Sequence, residues 1–356
     1  MKPTAAEQRC RDLLALLREP SRAGALALPQ WEVVVRLARQ ARLLATLDAR
    51  LHEAEQGDRI PAVVSAHLTG ARNLAALRQH HLERELAALA EALPADVPTV
   101  LLKGCAYVVT GARIAVGRMP SDVDILVAPA DLARTEAVLL AAGWRFDGVL
   151  DAHDVRYYRD WSHELPPLRR PGQPLEVDLH HAISPPVGRT PVDAAALLRA
   201  AVAVPGTRWQ VLQPHDQILH AAIHLFQDSE LSDGLRDIVD IAGLLHEHVT
   251  DEAALEALRR RAEELQVSAM LEDALFFVER WLPSALRLSP RGAWMTQVRR
   301  VFAHAALPLI PGRPPRPAER VAATYGRLRY QWRRMPFGML VRHRVAKALR
   351  TLRRSG

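Results

Sequence analysis

Residues 118–129 read "RMPSDVDILVAP". Val123, Ile125, Leu126 and Val127 suit a buried strand, yet Asp122 and Asp124 sit in the same segment, one residue apart. Successive side chains on a strand point to opposite faces, so both carboxylates point to one side. Two adjacent carboxylates repel each other and lose hydration when buried. A divalent cation offsets both penalties, and hard carboxylate oxygens suit Mg²⁺. A single D-x-D is common by chance and usually lies on a solvated face. Here it runs directly into an apolar stretch, which predicts an interior strand.

A second stretch, "PLEVDLHHAIS" at 174–184, repeats the pattern. Leu175, Val177 and Leu179 share one face, and Glu176 and Asp178 share the other. If the two strands are neighbours, a third carboxylate joins the first two, an apparatus for two-metal phosphoryl chemistry. Upstream, "VPTVLLKG" at 97–104 predicts a strand over 98–102 and a helix opening near Gly104. Lys103 stands out because the chain has three lysines, Lys2, Lys103 and Lys347, against 44 arginines. It reads either as a phosphate contact or as a solvated lysine at a strand end.

With 356 residues, 49% of them hydrophobic, the chain has room for two domains or for one core with a helical annex. No run of 18 apolar residues occurs, so no transmembrane helix is expected. The start carries charges through its apolar part, unlike a signal peptide. Cys10 and Cys105 have no metal-type spacing and fit a reducing compartment. The expected location is the cytoplasm.

Residues 4–93 read as helices, with Leu74, Leu77, Leu82, Leu86 and Leu89 at helical spacing. Strands and helices mix only between about 97 and 185. A strand is expected at 122–128, then a helix with Asp131 as N-cap and Gly143 as its stop, then a short strand in "WRFDG". Helices return from 192 to about 305, and "PLIPGRPPRP" at 308–317 is a proline-rich linker. The fold class is therefore α+β: a small α/β core with a short mixed sheet, flanked by N- and C-terminal helical regions. The expected divisions are 1–95 helical, 96–190 α/β core, 191–307 helical, and 308–356 linker and basic helical tail.

The formal charge of +7 is uneven. From Arg313 onward there are 13 Lys and Arg against one acid, Glu319, leaving the rest of the chain at −5. The tail interleaves Tyr325, Tyr330, Trp332 and Phe337 with arginines. That composition suits RNA phosphates with base stacking, an anionic membrane surface or a partner protein. A helical hairpin folded onto the acidic body fits it equally.

"LLKGCAYVV", "GRMPSDVDILV" and "LPPLRRPGQPLEVDLHH", in that order, resemble the DNA polymerase β-like nucleotidyltransferase superfamily. They are most similar to a group of bacterial nucleotidyltransferase-family proteins with L-K-G, D-x-D and [DE]-L-H motifs. The resemblance covers roughly 98–185 and extends more weakly to about 250. It implies that Asp122 and Asp124 bind two Mg²⁺ or Mn²⁺ ions and that Asp178 is the third catalytic carboxylate. Glu176, two residues away on the same face, competes for that role. Lys103-Gly104 stands where the superfamily commonly has Gly-Ser. The ammonium, the permissive glycine and a helix start would hold the nucleotide phosphates. Arg118 and Ser121 flank the D-x-D strand as further phosphate contacts, and His180 is a secondary candidate beside Asp178.

The implied reaction is transfer of a nucleoside monophosphate, by default AMP from ATP, to an acceptor with release of pyrophosphate. The acceptor is open among a small molecule, a peptide or protein, and RNA. The alternative is an inactive nucleotidyltransferase-like module that binds through its tail. His181, His220 and His224 read as packing residues near the cleft. Arg236, Asp237 and Asp240 lie within about one helical turn and either contact substrate or pair with one another.

Overall fold

The computed structural model describes residues 2–148, 152–227, 231, 234–291, 296–334 and 336–340. It is a mixed α+β fold. Five N-terminal helices come first: α1 (Ala5–Arg9), α2 (Arg11–Arg18), α3 (Leu28–Gln40), α4 (Leu44–Glu53) and the long α5 (Ala62–Ala92). The core follows as β1 (Val100–Leu101), α6 (Lys103–Val109), β2 (Asp122–Leu126), α7 (Leu132–Ala141), β3 (Arg145–Phe146), α8 (Ala152–Arg156), β4 (Leu168–Arg169) and β5 (Glu176–His180). Next are α9 (Ala194–Arg199), β6 (Val202–Ala203), β7 (Gln210–Val211), α10 (Pro214–Gln227), α11 (Gly234–His248), α12 (Glu252–Glu264), α13 (Ser268–Trp281), α14 (Thr296–Ala306) and α15 (Pro317–Arg334). Among the described residues, no helix is long and apolar enough to cross a membrane.

One sheet of seven strands runs in the order β3-β4-β5-β2-β1-β7-β6. β2 lies at its centre, parallel to β5 and antiparallel to β1. Val123, Ile125, Leu126, Val177 and Leu179 are fully buried. Burying each such side chain stabilises the fold by about 1.5–3 kcal/mol, so the face of Val123, Ile125, Val177 and Leu179 is fixed on the core and the acids are forced to the other, which Leu126 shares.

Two expectations need correction. Strands are not confined to 97–185: β6 and β7 come from the segment assigned to helices, and β7 extends the sheet in parallel beside β1. The evenly spaced leucines of α5 are not all core, since Leu74 and Leu77 are about half exposed whereas Leu82, Leu86 and Leu89 are buried. Elsewhere, Asp131 occupies the N-cap position of α7 without a side-chain capping bond. Gly143 follows that helix in the left-handed region, with φ of 103°.

The helical parts are tied to the core by specific contacts. Trp144 Nε1 donates to Glu85 Oε1 at 2.8 Å, fixing the end of α7 to α5. Gly117, with φ of 75°, lies so close to α4 that a Cβ would sit 2.4 Å from Ala45 O. Phe226, Phe277 and Phe302 stack at 4.5–6.3 Å and join α10, α13 and α14. The basic α15 lies on this body. Buried Glu319 pairs with Arg9, Arg189 Nε donates to Trp332 O at 3.0 Å, and Arg334 donates to Ser162 Oγ at 3.0 Å. Residues 341–356 of the tail lie outside the described residues.

Candidate active site

β2 and β5 pair in register, Asp122 opposite Glu176 and Asp124 opposite Asp178. Side chains on paired residues of parallel strands emerge on the same face, so the pairing gathers the acids. Asp124 is 3% exposed. Its Oδ1 accepts from Lys103 Nζ at 3.2 Å and lies 2.9 Å from His180 Nε2. Burial opposes its ionisation, but Lys103 and His180 outweigh that and hold the carboxyl well below the usual range. Asp122 is pushed up by burial and by Asp124. Its Oδ1 accepts from Ser121 Oγ at 3.2 Å. Asp178 is pushed up to about 9 by burial first, then by Asp124, Glu164 and Asp122. The three acids thus resist ionising together, and a proton held on Asp178 relieves the repulsion.

Lys103 opens α6 with φ of 46°, an unfavourable conformation for a residue with a side chain. Burial disfavours its charge, but Asp124 and Asp122 more than compensate and hold the ammonium charged. Gly104 makes room for Arg118: a Cβ there would meet Arg118 Nε at 3.0 Å. The Arg118 guanidinium is buried, pairs with Asp240 of α11 and lies 5.2 Å from the Tyr107 ring centroid. Burial, then Arg236, pull its pKa down to about 10.

These groups line a cavity of about 130 Å³ that holds Lys103, Gly104, Arg118, Ser121, Asp122 and Asp124. Arg42, His224, Arg236 and Asp237 complete its wall. His220 is buried nearby, and burial followed by the Lys103 charge keeps its ring neutral. Glu176 stands apart, paired with Arg169 on β4. His181 is buried, with Nε2 3.3 Å from Tyr158 O.

The residues present fit a hard divalent cation. Asp122, Asp124 and Asp178 share one face of paired strands and repel one another, and the buried Asp178 Oδ1 has no hydrogen-bond partner among the described residues. The Lys103 ammonium already places one positive charge against Asp124. A model of the family described as uncharacterised nucleotidyltransferases matches residues 28–283. The chain belongs to this nucleotidyltransferase family. The match runs from α3 to just past α13, so this nucleotidyltransferase-family region contains every residue of the cluster and leaves out α14 and α15. No curated protein and no solved structure matches the chain.

Three groups near the acids were not singled out by sequence reasoning: His163, Glu164 and Arg42. Glu164 bridges to His180, and both His163 and Glu164 precede a Pro-Pro pair in an irregular segment. Arg42 lies 80 residues before Asp122, in the turn between α3 and α4. Neither place has a periodicity that points toward the cleft.

Proposed function

We propose that this nucleotidyltransferase-family protein transfers a nucleoside monophosphate, AMP from ATP as the default donor, to an acceptor hydroxyl. The reading is carried by the in-register pairing of β2 and β5, which sets Asp124 opposite Asp178 beside Lys103. Asp122, Asp124 and Asp178 would hold two divalent cations, Mg²⁺ or Mn²⁺, which offset charge on the attacking and leaving oxygens of the α-phosphoryl group. Lys103 neutralises triphosphate oxygens as a point charge. Ser121 is the neutral donor beside the acids. Arg118, anchored by Asp240, presents its guanidinium to the same cavity as a preorganised positive group. Asp178, once ionised, accepts the proton of the attacking hydroxyl. The acceptor oxygen bonds to the α-phosphorus, the bond to the β-phosphate oxygen breaks, and pyrophosphate leaves.

The test is incubation with α-labelled ATP, Mg²⁺ and panels of small-molecule, peptide and RNA acceptors. Transfer of label with pyrophosphate release is expected. Asp178→Ala should abolish it, and Glu176→Ala should retain measurable transfer. Activity that survives Asp178→Ala but not Glu176→Ala would reverse the assignment. No transfer with any nucleotide or acceptor would leave the binding-module reading in its place.

A further inference from the structure

Beside the carboxylate cluster, the described residues contain one group of His and acidic side chains with metal-ligand spacing. It comprises His163, Glu164 and His180, whose ligand atoms all lie within 4.8 Å of one another. The main chain builds it. Glu164 forms an antiparallel bridge with His180, and the backbone N–H groups of His181 and Ala182 donate to His163 O at 2.9 and 3.1 Å. The histidines are 5% and 1% exposed, and Glu164, partly exposed, gives a route from solvent. Each histidine Nε2 lies 3.5 Å from the same atom, Glu164 Oε2.

That separation is long for a hydrogen bond. It is close to the edge of a tetrahedron of ligands around a zinc-class ion, about 3.4 Å when metal–ligand bonds are about 2.0–2.1 Å. Asp124 Oδ1, 2.9 Å from His180 Nε2, is the nearest fourth donor. Two imidazoles with carboxylate oxygens suit Zn²⁺ and its transition-metal neighbours, whereas Mg²⁺ prefers oxygen alone.

We propose that His163, Glu164 and His180 form a second metal site, specific for a divalent transition-metal ion, next to the Asp122, Asp124 and Asp178 cluster. The ion clamps residues 162–164 onto β5 and holds the carboxylate of Asp124 at the oxygen that also accepts from Lys103. This site stands independently of nucleotidyl transfer, because its ligands and its test do not require that reaction.

The experiment uses the full-length chain, stripped with chelator and titrated with ZnCl₂ in the presence of excess MgCl₂, followed by calorimetry. The same titration with Co²⁺ reports coordination through its visible absorption. One Zn²⁺ per chain should bind despite the Mg²⁺, and Co²⁺ should give the intense bands of a four- or five-coordinate site. His163→Gln and Glu164→Gln should each weaken Zn²⁺ binding by about a hundredfold, the upper range even for outer-shell losses. Asp122→Asn should leave it nearly unchanged. Should His163→Gln fail to fold, the partly exposed Glu164→Gln variant carries the test. Full displacement of Zn²⁺ by Mg²⁺, unaltered Zn²⁺ affinity in Glu164→Gln, or equal loss in Asp122→Asn would each overturn the proposal. Transfer activity lost with Zn²⁺ binding intact would count against the proposed reaction and not against this site.

Discussion

Lys103 combines two liabilities, a left-handed backbone and an ammonium held against buried acids. Residues in such conformations persist where the surroundings hold them and cluster at functional sites. The two features separate by substitution. Lys103→Ala and Lys103→Gly both remove the charge, and each should weaken ATP binding by about 1.5–3 kcal/mol, the range for a charge-assisted contact. Glycine accepts the left-handed backbone, so Lys103→Gly should be more stable than Lys103→Ala by about 1 kcal/mol. Urea unfolding and nucleotide titration of the two variants check both statements, and equal ATP affinity in wild type and variants would return Lys103 to a structural role.

Asp178 gives a pH dependence at the same scale. Its folded-state pKa, about 9, lies above the unfolded value of about 3.9. Below pH 4 both states are protonated and nothing is lost. As pH rises from about 4 to 9, the unfolded state ionises while the folded state keeps its proton, so stability falls. Asp124 has the opposite sign, but its effect is confined to pH values below about 4. Asp273, pushed up to about 7 by burial, adds a slope like that of Asp178. Thermal melts in chelator should therefore decline from pH 5 to 9, and less so in Asp178→Asn. Mg²⁺ should flatten the wild-type slope by displacing the proton, and an identical slope with and without Mg²⁺ would remove the cation from this cluster.

At the scale of elements, the site depends on how α11 meets the loop before β2. The link is the Arg118–Asp240 pair, with side chains 8% and 10% exposed. Removing one partner leaves a buried charge uncompensated. Asp240→Asn should cost about 3 kcal/mol in urea unfolding, and adding Arg118→Met should recover part of it. An additive double mutant would mean that the pair does not couple the two elements. The sequence made β2 and β5 legible, because acids alternating with a fully apolar face leave a strand little choice of orientation. It hid β6 and β7, two-residue strands that pair with each other, β7 joining the sheet beside β1 from about 110 residues earlier. It also hid His163 and Glu164, whose position comes from a bridge to His180 and not from a local pattern.

For the whole molecule, the tail's charge was legible but its docking was not, since composition does not say which arginines find partners. α15 buries Glu319, Ala322 and Arg329, and leaves Val321, Leu328 and Trp332 exposed. Deleting residues 313–356 removes the pair with Arg9 and uncovers α14. The melting temperature should drop by about 5 °C or more, given a few degrees per kcal/mol for a chain of this size. We propose the exposed apolar and basic face as the tail's attachment surface. The same truncation should then abolish sedimentation with anionic vesicles if that surface meets a membrane, and should raise the KM for an RNA acceptor if it meets nucleic acid.

The sheet order has a further consequence for how the molecule comes into being. The charged groups of the site come from distant elements, Lys103 from α6, Asp122 and Asp124 from β2, Asp178 from β5 and Asp240 from α11, and β1 must await β7 to complete its parallel edge. Closing such distant contacts is the slow part of assembling a mixed sheet. A cation held by all three carboxylates would find its full set of ligands only once β2 and β5 have paired. Such a cation would act as a brake on unfolding and not as a nucleus for folding.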